Sequence, residues 1–211
     1  MNELQNSLWI EARSGLAATV RDGTEQSKVE QLHSRLRAEA ESRGMLDVSY
    51  RTVDSPIGPL LLAASAAGLI RVAFASQGEA AILEAIADAV SPRILKGGRR
   101  LDGAARQLEE YFERRRREFD VVLDLRLAHG FRRDILTALQ SIAYGSTASY
   151  AGIAAAAGHP RAVRAAGTAC ALNPLPIVIP CHRVARSDGT PGNYAGGPEA
   201  KLRLLALEGV L

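Results

Sequence analysis

The order of the hydrophobic patterns limits this chain more than any single motif. Three strand-like runs come first, "VSYRTV", "GPLLLAAS" and "LIRVAFA", separated by the turn signals Asp54-Ser55-Pro56 and Ala67-Gly68. Helical patterns follow in "GEAAILEAIADAV" and "DGAARQLEEYFERRRREF", and the chain after about Phe131 is mostly helical too. Strands followed by helices, rather than alternating with them, predict an α+β fold. Ahead of the strands, residues 1–45 are polar and carry Val29, Leu32 and Leu36 at helical spacing up to Gly44, which predicts an appended helical extension.

Composition removes several alternatives. With 211 residues, 47% hydrophobic and 23% charged, usage is that of an ordinary globular chain. Such a length buries roughly 70% of its unfolded surface, enough to fold without disulfide or structural metal. No apolar run approaches the ~20 residues that span a bilayer, since "PLLLAASAAGLI" is short and broken by Gly68, so no membrane partner is expected. The N-terminal "MNELQNSLWIEARSG" lacks the apolar segment of a secretory signal, and the cysteines are Cys170 and Cys181 alone. A cytoplasmic, reducing location is expected.

Charge is uneven. From Gly130 onward eight basic residues stand against four acidic ones, giving +4, while the rest of the chain counts 18 against 19, giving −1. The excess suits a polyanion partner or a solvated basic face, and both readings stay open on charge alone. The run Arg114 to Arg117 is read as the cationic end of a helix, solvated and suited to the macrodipole.

The segment "FRRDILTALQSI" sets Ile135, Leu136, Leu139 and Ile142 on one helical face and ends at Tyr144-Gly145. Two short helices follow in "TASYAGIAAAAG" and "HPRAVRAAGTACALN", around Gly158-His159-Pro160, with Pro160 at the first helical position. That is a helix-turn-helix pattern. Its second helix carries Ala162, Ala165, Ala166, Gly167 and Ala169, which permit close approach but cannot read a base edge. Such a surface suits a DNA backbone or minor groove, or else a tightly packed core; Arg164 favours DNA.

"LPIVIP" is predicted as a short buried strand, with Pro180 fixing the backbone ahead of Cys181. A free cysteine, pKa ~8.5, is only a few per cent thiolate at neutral pH, so a nucleophile needs a base or a positive neighbour. His182 and Arg183 are groups of these kinds. Adjacent residues on a strand or helix do not face each other, however, so His182 needs a bridging water to reach the thiol. For either residue alone, a small buried hydrophobe and a structural histidine are the commoner readings.

From about Asp47 to its end the chain resembles the O6-alkylguanine-DNA alkyltransferases, also called methylated-DNA–protein-cysteine methyltransferases. The resemblance rests on "IPCHRV", "SDGTPGNYAGG" and "KLRLLALEG", with "ALNPLPIV", "SYAGIA" and "RAVRAAGTA" ahead of them. "DSPIGPLLLAAS" resembles the family's N-terminal ribonuclease-H-like domain. The resemblance implies a ribonuclease-H-like α/β domain over residues 46–127 and a helical, catalytic, DNA-binding domain over residues 128–211. It also implies irreversible transfer of an alkyl group from guanine O6 in double-stranded DNA to a cysteine, once per molecule. The main substrate is O6-methylguanine, with O4-methylthymine as a further one, approached through the minor groove by a monomer that can cluster along DNA. No metal and no organic cofactor takes part.

Carried onto this chain, the resemblance makes Cys181 the acceptor, His182 the base acting through a water, and Glu208 the carboxylate that orients the histidine. Asn173 braces the turn around the active-site segment, and Tyr150 donates a hydrogen bond to guanine N3. Arg164 enters the stack in place of the flipped nucleotide, whose extrusion costs a few kcal/mol. Ala162 and Ala165 let the helix approach, and Arg161 contacts phosphate. Gly192, Tyr194 and Ala195 belong to the guanine pocket with Val184, and Pro176 and Tyr194 bound the alkyl pocket.

Departures from the family prune its functions. Ala195 stands where many members have serine, which removes a hydroxyl contact to O6. Without a Cys/His cluster no zinc is expected, and residues 1–45 are too short and thiol-free to be a metal-and-methyl-sensing domain. Cys170 is expected as a buried structural thiol. A non-catalytic protein that binds alkylated DNA is the alternative, and the cysteine in "PCHRV" speaks against it; a cysteine hydrolase would leave the DNA-binding helices idle.

Overall fold

The computed structural model describes Glu25, residues 27–187 and residues 189–211, in two units, residues 1–46 and residues 47–211. In the first unit a helix, α1, runs over residues 27–42, with Val29, Leu32 and Leu36 on it and Gly44 just past its end at φ +64°. The expected extension agrees there; its part on residues 1–24 and Gln26 lies outside the described residues.

The second unit opens with β1 (Val48–Val53), β2 (Leu60–Ser65) and β3 (Gly68–Phe74), an antiparallel meander. After α2 (Glu79–Ala89), a three-residue strand β4 (Ile94–Lys96) returns parallel to β1, so the sheet order is β3-β2-β1-β4. Every residue of β2 is buried, because both sheet faces are covered, and this is why its sequence reads as a continuous apolar run. Leu61, Ala63, Ile70 and Ala73 pack with Ile82 and Ile86 of α2. Leu60, Leu62, Val72 and Phe74 share the larger core with the helical half, and that core runs without a break past residue 128 to Leu204. At Gly68 (φ +144°) a side chain would overlap the carbonyl of Val122, whose oxygen accepts from Leu69 N–H at 2.8 Å; the glycine lets this connecting segment lie against β3.

The helix α3 (Asp102–Phe112) ends before the arginine run, with Arg114 in the left-handed region at φ +60°. The expected placement of the run in the last helical turn is corrected, since it lies beyond the helix; Arg114, Arg115 and Arg117 are exposed, as expected. Arg115 pairs with Glu113, Arg116 bonds Glu110 at 2.7 Å and the Glu118 carbonyl at 2.9 Å, and Arg117 lies over the Tyr144 ring.

In the helical half, α4 (Phe131–Leu139) buries Ile135, Leu136 and Leu139 and stops short of the expected Tyr144-Gly145, leaving Ile142 buried in the turn beyond it. The short strand β5 (Ala148–Ser149) leads into α5 (Tyr150–Ala156), where the Ser149 hydroxyl accepts from Gly152 N–H at 3.0 Å as an N-cap. Next, α6 (Val163–Ala171) packs on α4 and α5, completing the helix-turn-helix. Pro160 is not its first residue as expected: a turn closed by Ala162 N–H on the His159 carbonyl precedes the helix. Two more elements complete the unit: β6 (Val184–Ala185), parallel to β5, and α7 (Gly197–Leu207).

The strand expected in "LPIVIP" is absent. Residues 174–180 form a tight buried turn in which Ile179 N–H donates to the Leu175 carbonyl and Ile177 takes φ +75°. Asn173 stabilises the turn from inside, accepting from Leu175 N–H at 2.9 Å and donating to the Ile179 carbonyl at 2.9 Å. Buried apolar residues serve such a turn as well as they serve a strand.

Candidate active site

Cys181 begins a 3-10 turn, Cys181–Arg183, directly after the Asn173-braced segment. Its Sγ accepts from Asn173 Nδ2 at 3.2 Å. Burial pushes the thiol up to about 11 even though the Asn173 contact works the other way, so the resting group is S–H. The 3-10 turn separates the next side chain from the sulfur. His182 points into the core, where its Nε2 lies 3.0 Å from Glu208 Oε1.

Glu208 caps the end of α7, on the buried face that also carries Lys201, Leu204 and Leu205. Its Oε1 accepts from His182 Nε2, from the Tyr111 hydroxyl at 2.7 Å and from Arg183 Nη2 at 2.9 Å. Its Oε2 accepts from Arg183 Nε at 2.9 Å and from Gly145 N–H at 3.3 Å. These donors outweigh burial and hold the carboxyl at about 2, so it is ionised and can only accept. His182 Nε2 therefore carries the hydrogen, and Nδ1 is left with a bare lone pair. Nδ1 is buried without a partner among the described residues. Burial also lowers the basicity of His182, so the ring rests neutral at pH 7.

Arg183 does not serve as the positive neighbour of the thiol, as the sequence suggested. Its guanidinium grips Glu208 with two nitrogens and gives the third to the Ile142 carbonyl at 2.6 Å. Two groups escaped the sequence reading. Tyr111 comes from α3, far away in sequence. Lys201 is fully buried, its Nζ donating to the Val184 carbonyl at 2.6 Å and the Gly192 carbonyl at 3.4 Å. A lysine followed by Leu204, Leu205 and Glu208 at helical spacing was the available signal for the second; no local signal marks the first.

The pairing of Ala148 with Val184 and of Ser149 with Ala185 sets the start of α5 beside the segment that follows Cys181. Tyr150 is seated there against Gly192, where any Cβ would overlap its hydroxyl. Tyr194 is buried, edge-on to both Phe74 and His182, with its hydroxyl unpartnered among the described residues. Val184 is fully buried.

Six of the candidate residues line two separate openings. Tyr150, Arg164 and Gly192 line one of about 560 Å³, together with Thr168 and Arg186. Pro176, Ala195 and Asn173 line a different one of about 260 Å³, alongside Arg71 and Arg132. Arg161, Arg164 and Ala165 are exposed, and Ala162 partly so, while Ala166 and Ala169 face the core, so the small residues of α6 serve both its sides. Cys170 is buried with its thiol pushed up to about 12. Among the described residues no three His, Cys, Asp or Glu side chains converge as a metal site, and no helix is long and apolar enough to cross a membrane.

A sheet half, a helix-turn-helix and a buried cysteine followed by a carboxylate-backed histidine define a two-domain protein whose thiol centre shares its core with the helix-turn-helix. Residues 48–125 match the ribonuclease-like domain of 6-O-methylguanine DNA methyltransferase, and residues 130–210 match its DNA binding domain. The chain belongs to this family. A methylated-DNA–protein-cysteine methyltransferase of Mycolicibacterium paratuberculosis is 42% identical, covering 76% of this chain and 92% of the relative. One from Methanosarcina barkeri is 42% identical over 75% of this chain and 96% of its own. The fold is similar to the crystal structure of Mycobacterium tuberculosis OGT in complex with DNA, with TM-score 0.65 and 38% identity over 76% of this chain and 92% of that one.

Proposed function

We propose that this protein repairs O6-alkylguanine in duplex DNA by direct reversal, taking the alkyl group onto Cys181. One observation carries the reading: a buried thiol follows directly on the Asn173 brace, and the next residue is a histidine whose tautomer an ionised Glu208 fixes. The bare Nδ1 of His182 takes the thiol proton through a water, and the sulfur attacks the alkyl carbon in line with O6. The S–C bond forms as the C–O bond breaks, and the electron pair leaves with the guanine. Tyr150, whose phenol burial keeps protonated, donates to the departing base at N3. A thioether does not hydrolyse, so each molecule acts once.

The lesion is turned out of the duplex from the minor groove. Arg164, exposed at the start of α6, fills the space it leaves, and Arg161 holds phosphate. O4-methylthymine is accepted more weakly. Two free thiols suit a monomer working in the reducing cytoplasm.

Nucleoside analysis of an O6-methylguanine duplex after incubation tests the function. Loss of the modified nucleoside mole for mole with protein, and an equal gain of deoxyguanosine, is expected. Release of the free modified base, or turnover beyond one per protein, contradicts it.

A further inference from the structure

We propose that Tyr111, supplied by the sheet domain, is a positioning residue of the Cys181–His182–Glu208 relay. Its hydroxyl donates at 2.7 Å to Glu208 Oε1, the same oxygen that receives His182 Nε2–H. The carboxylate accepts five hydrogen bonds in all, against about four lone-pair sites. Arg183 and Gly145 supply three, from the segments next to Cys181 and before β5. Tyr111 alone reaches in from α3, and its ring is held by Phe119 at 5.3 Å and Tyr144 at 6.2 Å.

The consequence is electronic as well as geometric. With Arg183 Nη2 already on Oε1 beside the imidazole, the Tyr111 hydroxyl is a third donor that weakens this oxygen further as an acceptor for the ring, so less positive charge is stabilised on His182 and the ring stays neutral over a wider pH range. The charged and titratable groups around the ring are Glu208 and Lys201 of α7, Arg183 of its own turn, and Tyr194 edge-on to it. Tyr111 ties the Glu208 carboxylate to the sheet domain by a hydrogen bond, and a phenylalanine there keeps the ring contacts while removing only the donor.

The inference rests on Cys181 being the acceptor. Single-turnover methyl transfer from an O6-methylguanine duplex is followed across pH for the full chain, Tyr111→Phe and Phe119→Leu, with melting and duplex affinity measured alongside. Tyr111→Phe is expected to fold, to bind duplex unchanged and to lose about tenfold in plateau rate, the worth of one hydrogen bond to a charged group. Its acid limb is expected to move up by about half a pH unit. Phe119→Leu loses stability and keeps its acid limb. An unmoved limb in Tyr111→Phe, the same shift in both variants, or a Tyr111→Phe chain that does not fold overturns the inference. A wild-type chain that takes up no methyl defeats the underlying function instead.

Discussion

Asn173 Nδ2 donates to Cys181 Sγ at 3.2 Å while also holding the Ile179 carbonyl at 2.9 Å, so one buried amide fixes both the turn and the sulfur that ends it. Removing it strands the Leu175 N–H in the core, at a cost of about 1–3 kcal/mol, and leaves the Ile179 carbonyl with Cys181 N–H at 2.8 Å as its remaining donor. Asn173→Ala is therefore expected to melt lower by several degrees and to transfer methyl at least tenfold more slowly. Calorimetry and single-turnover kinetics check this, and wild-type rates would remove Asn173 from the site.

Gly192 is required by the position of Tyr150. A methyl group there overlaps the Tyr150 hydroxyl, and the ring must swing out of the opening it shares with Arg164. Gly192→Ala is expected to stay folded and to lose transfer by about tenfold or more, matching a Tyr150→Phe variant. Combining the two changes adds little, as a double-mutant cycle would show.

Acid stability follows from the relay. Glu208 titrates at about 2 when folded against an ordinary 4.5, so its contribution is complete above pH 4.5 and is lost as pH falls towards 2. His182, held below its ordinary 6.5 by burial, acts in the same direction: protons bind the unfolded chain more readily, and stability starts to fall below pH 6.5. Melting temperature is expected to drop below pH 6.5 and again below pH 4.5, with Glu208→Gln flattening the lower step.

Alkylation is expected to weaken the fold. Cys181 is 4% exposed, and a methyl on its sulfur crowds the braced turn and displaces the Asn173 amide. A cost of about 1–3 kcal/mol lowers the melting temperature by roughly 3–10 °C. Scanning calorimetry before and after reaction measures it; equal values would show that the turn accommodates the methyl.

Much of this arrangement is legible in the sequence because the strands and helices keep their own periodicities. β1 coincides with "VSYRTV", and α4 carries three of the four core positions that its spacing marks, Ile142 lying in the turn beyond it. The turn at Leu175–Ile179 is not legible in that way: Ile177 at φ +75° is an unusual place for a β-branched residue, permitted by burial and by Asn173 rather than by local preference. β4 is only three residues long and gains its pairing from β1. The roles expected of Cys181, His182 and Glu208 come from the family's motifs. Tyr111 was missed because its meaning lies in a contact across 97 residues, which no local pattern carries.

The most direct test of the central claim is intact-mass spectrometry with peptide mapping after mixing the protein with excess O6-methylguanine duplex, beside a Cys181→Ala control. The account predicts one added methyl per molecule, on the peptide containing Cys181, and none in the control. Methyl on Cys170 or elsewhere, or an unmodified protein still bound to the duplex, would contradict it.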